Sequence, residues 1–398
     1  MTGALVGIRV LDIATFLAAP FCGTLMAEFG AEVIKVEQPG EGDSLRRFGT
    51  KTDCGDSLVW LSEARNKKSV TLNLRKPEGA DLFRHLVAQS DVVLENFRPG
   101  TMDKWGLSYE SLAKINPKLV MLKVSAYGQN GPMKDLPGFA RIAHAFGGLA
   151  YLAGEPGRTP VVPGSTSLAD YMSGLFGAVG VLVALRHAER TGEGQVVDIA
   201  LYESVFRVMD ELAPAYAKFG YQRERMGADT VNVVPHSHYQ TRDGFWVAVA
   251  CTSDRMWERL CKAMGRPEIA ADLRYSVTKK RDEHRQEVNA FVSTWVSSLD
   301  LQDVLAACAR CEAPCSKLLS ISDIFADPQF AARGNLAPLD DARAGPLVLP
   351  APVPQLSKTP SELRMPGPAL GNCNDEIFGA LLDISESARA DLKHRGVI

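Results

Sequence analysis

One carboxylate, Asp170, stands where a polar turn meets the most apolar stretch of the chain. Residues 162–186 read V-P-G-S-T-S-L-A-D-Y-M-S-G-L-F-G-A-V-G-V-L-V-A-L-R, with no charged residue between Tyr171 and Leu185. The pattern predicts a helix that begins near Asp170, and a helix N-terminus favours an anion because of its free N–H groups and its dipole. Asp170 then either caps a buried helix or is held there, ionised, for chemistry. Taken alone, the residue fits capping better.

Basic residues cluster in the first third of the chain. The segment 65–75, R-N-K-K-S-V-T-L-N-L-R, carries four basic residues and no acid. Further basic residues fall on predicted loops or strand ends, namely Arg46, Arg47, Arg98, Lys104 and Lys123. Such charges often form a solvated face, but their clustering at strand ends favours a bound polyanion such as phosphate.

Three histidines have sequence spacings that would let them bind a ligand or transfer protons. His236 and His238, in V-P-H-S-H-Y, would share one face of a strand. They could bind a metal or transfer protons, although without a nearby Cys or carboxylate motif a structural role is favoured. His144 follows Arg141 by three residues on a predicted helix, so the two would share a face. That pair could bind a substrate carboxylate or simply lie at the surface.

The cysteines do not predict a metal site. Of eight, only Cys308, Cys311 and Cys315 are close in sequence, and their helical setting, A-A-C-A-R-C-E-A-P-C, offers no fourth ligand. Several nucleotide and hydrolase motifs are also missing from the sequence. No G-x-G-x-x-G follows the first predicted strand, and neither G-x-x-x-x-G-K-[S/T] nor G-x-S-x-G occurs. A dinucleotide site, a P-loop and a serine-hydrolase elbow are therefore not expected.

Composition is that of a globular protein. The 398 residues are 46 % hydrophobic and 23 % charged, with a net charge of −3. This charge argues against nucleic acid or a membrane surface as the main partner, and the apolar run 171–185 is short for a membrane span. The first residues lack a basic start and a long apolar region, so we expect no secretion signal and a cytoplasmic protein with reduced thiols.

Alternating strands and helices predict a doubly wound α/β domain. Strands are predicted at 8–13, 31–37, 70–74, 91–97 and 118–125, with helices between them. Ligands bind beyond the carboxyl ends of such strands, at loops 14–20, 38–52, 73–77, 96–104 and 126–141. We expect a large domain at 1–206, a linker at 207–235 and a small mixed domain at 236–311. An irregular, proline-rich segment at 312–398 is expected to pack back on the large domain.

Several linked motifs together resemble one family. L-D-I-A-T-F-L-A-A-P, G-A-E-V-I-K-V-E-Q-P-G-E-G-D, N-K-K-S-V-T-L-N-L, E-N-F-R-P-G and T-G-E-G-Q-V-V-D-I-A-L-Y-E occur in order between residues 7 and 206. In order and spacing they resemble the class III CoA-transferases, also called the CaiB/BaiF family. The resemblance implies a Rossmann-like CoA-binding domain, a smaller α+β domain and an interlocked homodimer. It also implies that CoA is a substrate rather than a tightly bound cofactor.

The resemblance also assigns residues. Asp170 matches the family's nucleophile, a carboxylate that carries acyl and CoA groups in turn. The residues that match CoA-binding segments are Phe16, Leu17, Ala18, Leu72, Asn73, Arg75, Asn96, Phe97, Arg98, Lys104 and Lys123. Gln38 stands where some relatives carry a basic residue, which puts one phosphate contact in doubt.

The segments around Asp170 and His236 look most like members that use succinyl-CoA with C4–C6 dicarboxylates, such as malate, citramalate, itaconate or glutarate. A distal carboxylate needs a cation. The candidates are Arg46, Arg47, Arg141, His144 and His236.

Two other functions stay open. The family includes α-methylacyl-CoA racemases, which use an acid–base pair. Their His-Asp motif would fall at Phe139–Ala140, where neither residue type is present. A CoA-binding protein without activity is the third possibility.

Overall fold

The computed structural model describes residues 3–398, except for the side chain of Ser165, and its chain forms two compact units. The larger unit comprises the described residues up to Ala150, Val162–Tyr221 and Gln329–Ile398. The smaller unit comprises Tyr151–Val161 and Gln222–Pro328. Each unit has its own apolar core.

A six-stranded parallel sheet forms the centre of the larger unit. Its strands are β1 (Arg9–Asp12), β2 (Glu32–Glu37), β3 (Lys68–Thr71), β4 (Val92–Glu95), β5 (Val120–Ser125) and β6 (Val196–Ala200). The spatial order is β3-β2-β1-β4-β5-β6, so the order reverses between β1 and β4, as in doubly wound sheets. The predicted parallel α/β architecture is confirmed.

The strands are buried because apolar residues occupy both of their faces, as helix-covered parallel sheets require. Val10, Leu11, Val33 and Ile34 are inaccessible or nearly so. The third strand lies earlier than predicted, since its ladder with β2 ends at Thr71. The following residues are therefore free to form a loop at the carboxyl edge of the sheet.

Ten helices accompany this sheet along the chain. They are α1 (Ala18–Glu28), α2 (Leu58–Glu63), α3 (Pro77–Val87), α4 (Thr101–Lys104), α5 (Tyr109–Ala113), α6 (Ala140–Phe146), α7 (Leu149–Leu152), α8 (Leu168–Thr191), α9 (Leu201–Arg207) and α10 (Leu212–Phe219). Short 3₁₀ helices occur at Ser44–Arg47 and Pro163–Ser165. Within 207–235, expected to be a linker, residues up to Phe219 include α10, and the change from the larger to the smaller unit falls after Tyr221.

Helix α8 is longer than the uncharged run within it. It has 24 residues and is apolar enough to cross a membrane by length and composition. The premise that the run is too short for a span is therefore wrong, because the helix extends past Leu185 to Thr191. One face of α8 packs on α1, β5 and β6. The opposite face exposes apolar side chains, among them Val179 and Val183, 60 % and 65 % exposed.

The smaller unit contains an antiparallel three-stranded sheet and six helices. The strands are β7 (His236–Gln240), β8 (Trp246–Ala250) and β9 (Cys315–Lys317), in that order. The helices are α11 (Asp254–Ala263), α12 (Pro267–Ala271), α13 (Thr278–Glu283), α14 (Arg285–Ser297), α15 (Leu301–Cys311) and α16 (Ile321–Ala326). In β7 the side chains of Ser237 and Tyr239 are buried, so His236 and His238 share the other face as predicted.

The C-terminal part is more regular than predicted. It contains α17 (Pro328–Arg333), an antiparallel hairpin of β10 (Leu336–Asp341) and β11 (Gly345–Pro350), a π-helix at Asp375–Leu381, and α18 (Glu386–His394). The prolines within the hairpin, Pro338 in β10 and Pro346 and Pro350 near the ends of β11, do not interrupt its pairing. The smaller unit also extends past residue 312, where the C-terminal segment was expected to begin, because β9 pairs with β8 in that unit.

Side chains of the larger unit bind the returning segment. The Asn66 amide accepts from the N–H groups of Arg364 and Met365, at 2.8 and 3.2 Å, and donates to the Glu362 carbonyl at 2.7 Å. The Trp60 indole N–H donates to the Pro368 carbonyl at 3.0 Å. The segment Gln329–Ile398 thus belongs to the larger unit although it follows the smaller one in sequence.

Candidate active site

Two adjoining cavities open beyond the carboxyl ends of the central strands, where the strand order reverses. Thr15 follows β1 and lines both cavities. Its N–H donates to the Asn96 amide oxygen at 2.8 Å, and the Asn96 amide donates to the Thr15 carbonyl at 2.7 Å. This reciprocal pair joins the ends of β1 and β4. Such a crevice is the usual ligand site of an open α/β sheet.

Asp170 lines the first cavity, which we call the Asp170 cavity and which measures about 450 Å³. Its other lining residues are Thr15, Phe16, Leu17, Ala18, Asn96, Val124, Ser125, Ala126, Gly138, Phe139 and Leu201. Among these described residues, Asp170 is the single ionisable side chain. The structure thus brings Asp170 together with the predicted residues Phe16, Leu17, Ala18 and Asn96.

Two glycines let α8 approach closely enough to place Asp170 there. A Cβ on Gly174, one turn after Asp170, would lie 2.7 Å from the Ala18 carbonyl oxygen. A Cβ on Gly177 would lie 2.8 Å from a methyl of Leu122 on β5. A Cβ so close to a backbone oxygen is not compatible with real contacts, so position 174 requires glycine, whereas at position 177 the end of the Leu122 side chain would have to move. The glycine-rich sequence after Asp170 therefore sets the distance between α8 and α1.

Burial governs the protonation of Asp170. The side chain lies in the first turn of α8, three residues after the N-cap residue Ser167. Removal from water raises the pKa of Asp170 to about 7. Desolvation therefore opposes the ionised form that the helix start was expected to favour.

The turn between β1 and α1 lines the same cavity as Asp170. Helix α1 starts at Ala18 after Leu17, whose side chain cannot accept a hydrogen bond. The first N–H groups of a helix have no intrahelical acceptor. Phe16, just before them, has a left-handed backbone (φ +61°), a conformation that costs a non-glycine residue about 1 kcal/mol or more.

The second cavity, of about 690 Å³, contains part of the predicted CoA segments. Leu72, Arg75 and Phe97 line it, and so does Gln38. Asn73 instead accepts from the Arg75 N–H at 3.1 Å within its own turn. Arg98 and Lys104 are exposed and Lys123 is partly buried, and none of the three lines either cavity.

Arg46 is not available to a substrate, so that prediction is wrong. Its guanidinium forms a two-contact ion pair with Glu37, both N–O distances 2.8 Å, and a third contact with Asp56 at 2.9 Å. It also stacks on Trp60 at 3.8 Å from the ring centre. The side chain is buried with all its charge compensated, so it supports the loop after β2. Its neighbour Arg47 is exposed.

His144 is also not a surface or substrate residue, and it does not share an exposed face with Arg141. Its side chain is 1 % exposed, whereas Arg141 is exposed. The Nε2 atom accepts from the Ala169 N–H at 3.0 Å, so the ring is neutral, with its proton on Nδ1. Burial and then the charge of Arg141 lower the pKa of His144. The ring thus caps α8 one residue before Asp170.

The remaining candidates are not among the residues that line the Asp170 cavity, or form no cluster. His236 is a partly buried residue of the smaller unit. The described cysteines are all free thiols. Among residues 3–398, no three His, Cys, Asp or Glu side chains come together in a group that could hold a metal ion.

Sequence reasoning missed four residues that shape the cavities. Phe139 and Trp105 line the first and second cavity respectively, and no sequence pattern marks either as a ligand contact. Lys35 and Asp43 lie buried beneath the β1–α1 turn. A signal for Lys35 existed, because a lysine inside an otherwise apolar central strand requires a buried acidic partner.

The sheet order, the crevice and its buried carboxylate define an α/β enzyme with a ligand site at the switch point. Within that class, the chain belongs to CoA-transferase family III, whose family description matches residues 5–374. It is therefore a CoA-transferase, as the sequence motifs indicated.

Similar proteins agree with this assignment over nearly the whole chain. The succinyl-CoA–L-malate CoA-transferase beta subunit of Chloroflexus aurantiacus is 54 % identical over 99 % of this chain and 98 % of its own. The alpha subunit from the same species is 52 % identical over 98 % and 92 %. The crystal structure of a CaiB/BaiF family protein from Brucella suis superposes with a TM-score of 0.83 at 33 % identity, covering 96 % of this chain and 100 % of that one.

The raised pKa of Asp170 predicts a pH dependence. A carboxylate attacks a carbonyl only when ionised, and with a pKa of about 7 the ionised fraction falls about tenfold per pH unit below 7. We expect kcat/KM to decline on an acid limb centred near pH 7, measured with a fixed acyl-CoA and acceptor. An acid limb near pH 4, the ordinary range of an aspartate, would show that burial does not control this group.

Proposed function

We propose that this enzyme transfers CoA from succinyl-CoA to a dicarboxylic or hydroxydicarboxylic acid of four to six carbons, with L-malate as the first acceptor to test. Asp170 is the nucleophile in this proposal. The observation that carries it is the single ionisable side chain among the described residues of the Asp170 cavity. One carboxylate suits covalent transfer, whereas proton-transfer chemistry needs an acid and a base.

The first half-reaction loads CoA onto the enzyme. The Asp170 carboxylate attacks the thioester carbonyl of succinyl-CoA, the C–S bond breaks, and CoA leaves as a thiolate. This step forms a mixed anhydride between Asp170 and succinate. The thiolate then attacks the carbonyl carbon of Asp170 and expels succinate. The product is an aspartyl-CoA thioester, and no proton is transferred in either step.

The second half-reaction reverses these steps with the acceptor. The acceptor carboxylate attacks the aspartyl thioester carbonyl and releases the CoA thiolate, which forms the second mixed anhydride. The thiolate then attacks the acyl carbon of the acceptor, and the bond between that carbon and the Asp170 oxygen breaks. The new acyl-CoA leaves and the Asp170 carboxylate is restored. Thioester energy is kept throughout because water takes no part.

Each carbonyl addition places negative charge on an oxygen beside Asp170. Leu17 and Ala18, at the start of α1, line the same cavity, and the first N–H groups of a helix have no intrahelical acceptor. Fixed donors of this kind stabilise such an oxyanion, and removal of one typically costs about 100-fold to 1000-fold in rate. The α1 N-terminus is therefore our candidate oxyanion site.

The choice of acids rests on the relatives. Both Chloroflexus proteins are named for succinyl-CoA and L-malate, and each shares more than half of its aligned residues with this chain. A dicarboxylate acceptor needs a cation for its distal carboxylate. With Arg46 and His144 occupied by internal partners, our remaining candidates are Arg47, Arg141 and His236.

Racemisation is not favoured at this cavity. The racemase motif would place His and Asp at Phe139–Ala140. In the structure Phe139 lines the cavity and Ala140 is buried, so neither position supplies an acid or a base. Family membership likewise disfavours a CoA-binding protein without activity.

We also propose that a second copy of the chain covers the exposed face of α8, as the family's interlocked dimer would require. The exposed apolar side chains of that face are Leu175, Phe176, Val179, Leu182 and Val183, between 37 % and 65 % accessible. Contiguous apolar surfaces of this kind mark interfaces. The relatives named as alpha and beta subunits make a related, non-identical chain the competing partner.

Replacement of the nucleophile should separate binding from chemistry. Asp170→Ala is expected to lower CoA exchange by at least about 10⁴-fold, since covalent catalysis is lost, while the affinity for free CoA stays within a few-fold. Hydroxylamine should trap an acyl group on wild-type Asp170 in the presence of succinyl-CoA, detected by peptide mass spectrometry. Asp135→Ala, at an exposed aspartate, is the matched control and should match the wild type. Substantial residual exchange in Asp170→Ala would rule out the nucleophile assignment.

An acceptor panel tests the substrate class. With succinyl-CoA as donor, we expect new acyl-CoA from malate, citramalate, itaconate or glutarate, and at least about tenfold lower kcat/KM with acetate or butyrate, because monocarboxylates lack the distal charge. Liquid chromatography with mass spectrometry identifies each product. Exchange confined to monocarboxylates would overturn the dicarboxylate proposal and leave CoA transfer itself intact.

A charge on the exposed face of α8 tests the dimer. The purified chain is expected to have the mass of two copies by light scattering, and Val179→Asp should shift it toward one copy because the carboxylate would be buried unpaired. Gln89→Asp, at an exposed position after α3, is the control and should stay dimeric. A wild-type chain that is monomeric alone, but pairs with a co-expressed paralogue, would replace the homodimer with a heterodimer.

A further inference from the structure

Side chains bind five polar backbone groups of the turn between β1 and α1, residues 14–20. The Lys35 ammonium donates to the Ala14 carbonyl, and the Lys67 ammonium donates to the Pro20 carbonyl at 2.6 Å. The Asp43 carboxylate accepts from the Phe16 N–H at 3.1 Å. Asn96 binds both polar groups of Thr15. The turn is thus fixed at both ends and at its centre.

Four of the groups involved form a buried, neutral cluster of charges, Asp12, Lys35, Asp43 and Lys67, which we call the buried quartet. Lys35 lies 2.8 Å from Asp43 and 3.5 Å from Asp12, and Lys67 lies 2.9 Å from Asp12. All four side chains are at most 3 % exposed. Two cations and two anions alternate, so each charge has an opposite neighbour.

Within the quartet, the Lys35–Asp43 pair is charged. Burial opposes ionisation of Asp43, but Lys35 and the N–H groups of Leu45 and Phe16 hold its pKa below the ordinary value. Burial likewise opposes the charge on Lys35, and Asp12 and Asp43 outweigh it and raise the pKa of the ammonium. Buried ion pairs contribute little to stability compared with apolar residues of equal size. The pair therefore calls for an explanation other than stability.

The backbone at Phe16 supplies that explanation. Phe16 adopts φ +61° without being glycine, so the surroundings must impose this conformation. The Asp43 carboxylate does so by binding the Phe16 N–H, and it caps its own 3₁₀ turn through the Leu45 N–H at 2.9 Å. The direction of the chain at Phe16 sets the position of the first turn of α1, whose residues Leu17 and Ala18 line the Asp170 cavity.

We propose that Asp43 is a positioning residue for CoA transfer, acting through the Phe16 N–H to hold the first turn of α1 in place against the reacting carbonyl. The inference rests on the proposed function of Asp170 and adds a residue that does not line the Asp170 cavity. Asp43 also lines the second cavity, and for that reason the affinity for free CoA is measured alongside kcat. Loss of the Asp43 carboxylate removes the acceptor of the Phe16 N–H, frees Phe16 to leave the left-handed region and moves the first turn of α1.

Asp43→Ala tests the proposal because it removes the carboxylate oxygen that accepts from the Phe16 N–H. We expect kcat for CoA transfer from succinyl-CoA to malate to fall about 100-fold, in the range known for misplaced oxyanion donors. The dissociation constant of free CoA, measured by calorimetry, should change less than threefold. The matched control is Asp53→Ala, the same substitution at an exposed position of the same loop, which should keep the wild-type kcat.

Asp43→Ala leaves the Lys35 charge under-compensated and is expected to destabilise the fold, so a second variant removes both charges. Lys35→Gln with Asp43→Ala leaves the Lys67–Asp12 pair neutral, and it should fold and show the same loss of kcat. A wild-type kcat in either folded variant would overturn the positioning role. A loss of kcat matched by an equal loss of CoA affinity would also overturn the positioning role, because a site that has collapsed loses both binding and catalysis. If the wild type itself transfers no CoA while binding it, the proposed function fails instead.

Discussion

The close approach of α8 to the start of α1 is the constraint on which the site depends. At Gly174 the two backbones approach until a single added carbon would meet the Ala18 carbonyl oxygen at 2.7 Å. The same contact brings Asp170, one turn earlier, to the end of α1 where backbone N–H groups have no helical acceptor. Packing and the proposed chemistry therefore share one cause, because the glycine that lets α8 pack on α1 also sets the distance from the proposed nucleophile to the start of α1.

The charged groups near the contact between α8 and α1 form two layers, one in the Asp170 cavity and one beneath it, and the two layers have opposite roles. In the cavity, Asp170 is partly buried without a basic partner among the lining residues, so desolvation raises its pKa to about 7. A weakly solvated carboxylate is a better nucleophile than a hydrated one, since less water must be removed before attack. Beneath the cavity, the charges of Lys35 and Asp43 are fully paired. The paired charges of Lys35 and Asp43 fix the backbone, and the unpaired carboxylate of Asp170 is the proposed nucleophile.

Sequence patterns predicted the parts of this arrangement that depend on local order. The strand–helix alternation predicted the parallel sheet and its carboxyl edge, and the apolar run after Asp170 predicted α8. The patterns did not predict where individual charges pair. His144 caps α8 from a helix 25 residues earlier in the chain, and this partnership follows from packing that spacing alone does not show. The regular C-terminal hairpin was missed because its prolines resemble those of an irregular segment.

Arg46 and Arg75 show why a sequence alone does not reveal which charged side chains form internal ion pairs. Both arginines follow central strands at the carboxyl edge, so composition alone makes both candidates for an anionic ligand. Arg46 meets Glu37, the last residue of its preceding strand, and Asp56, and stacks on Trp60. Arg75 faces the second cavity. An arginine whose charge is already neutralised inside the protein gains little from a ligand and would lose buried ion pairs by moving. Ligand binding at this edge therefore falls to those basic residues that the fold has not paired internally, and only the three-dimensional contacts separate the two kinds.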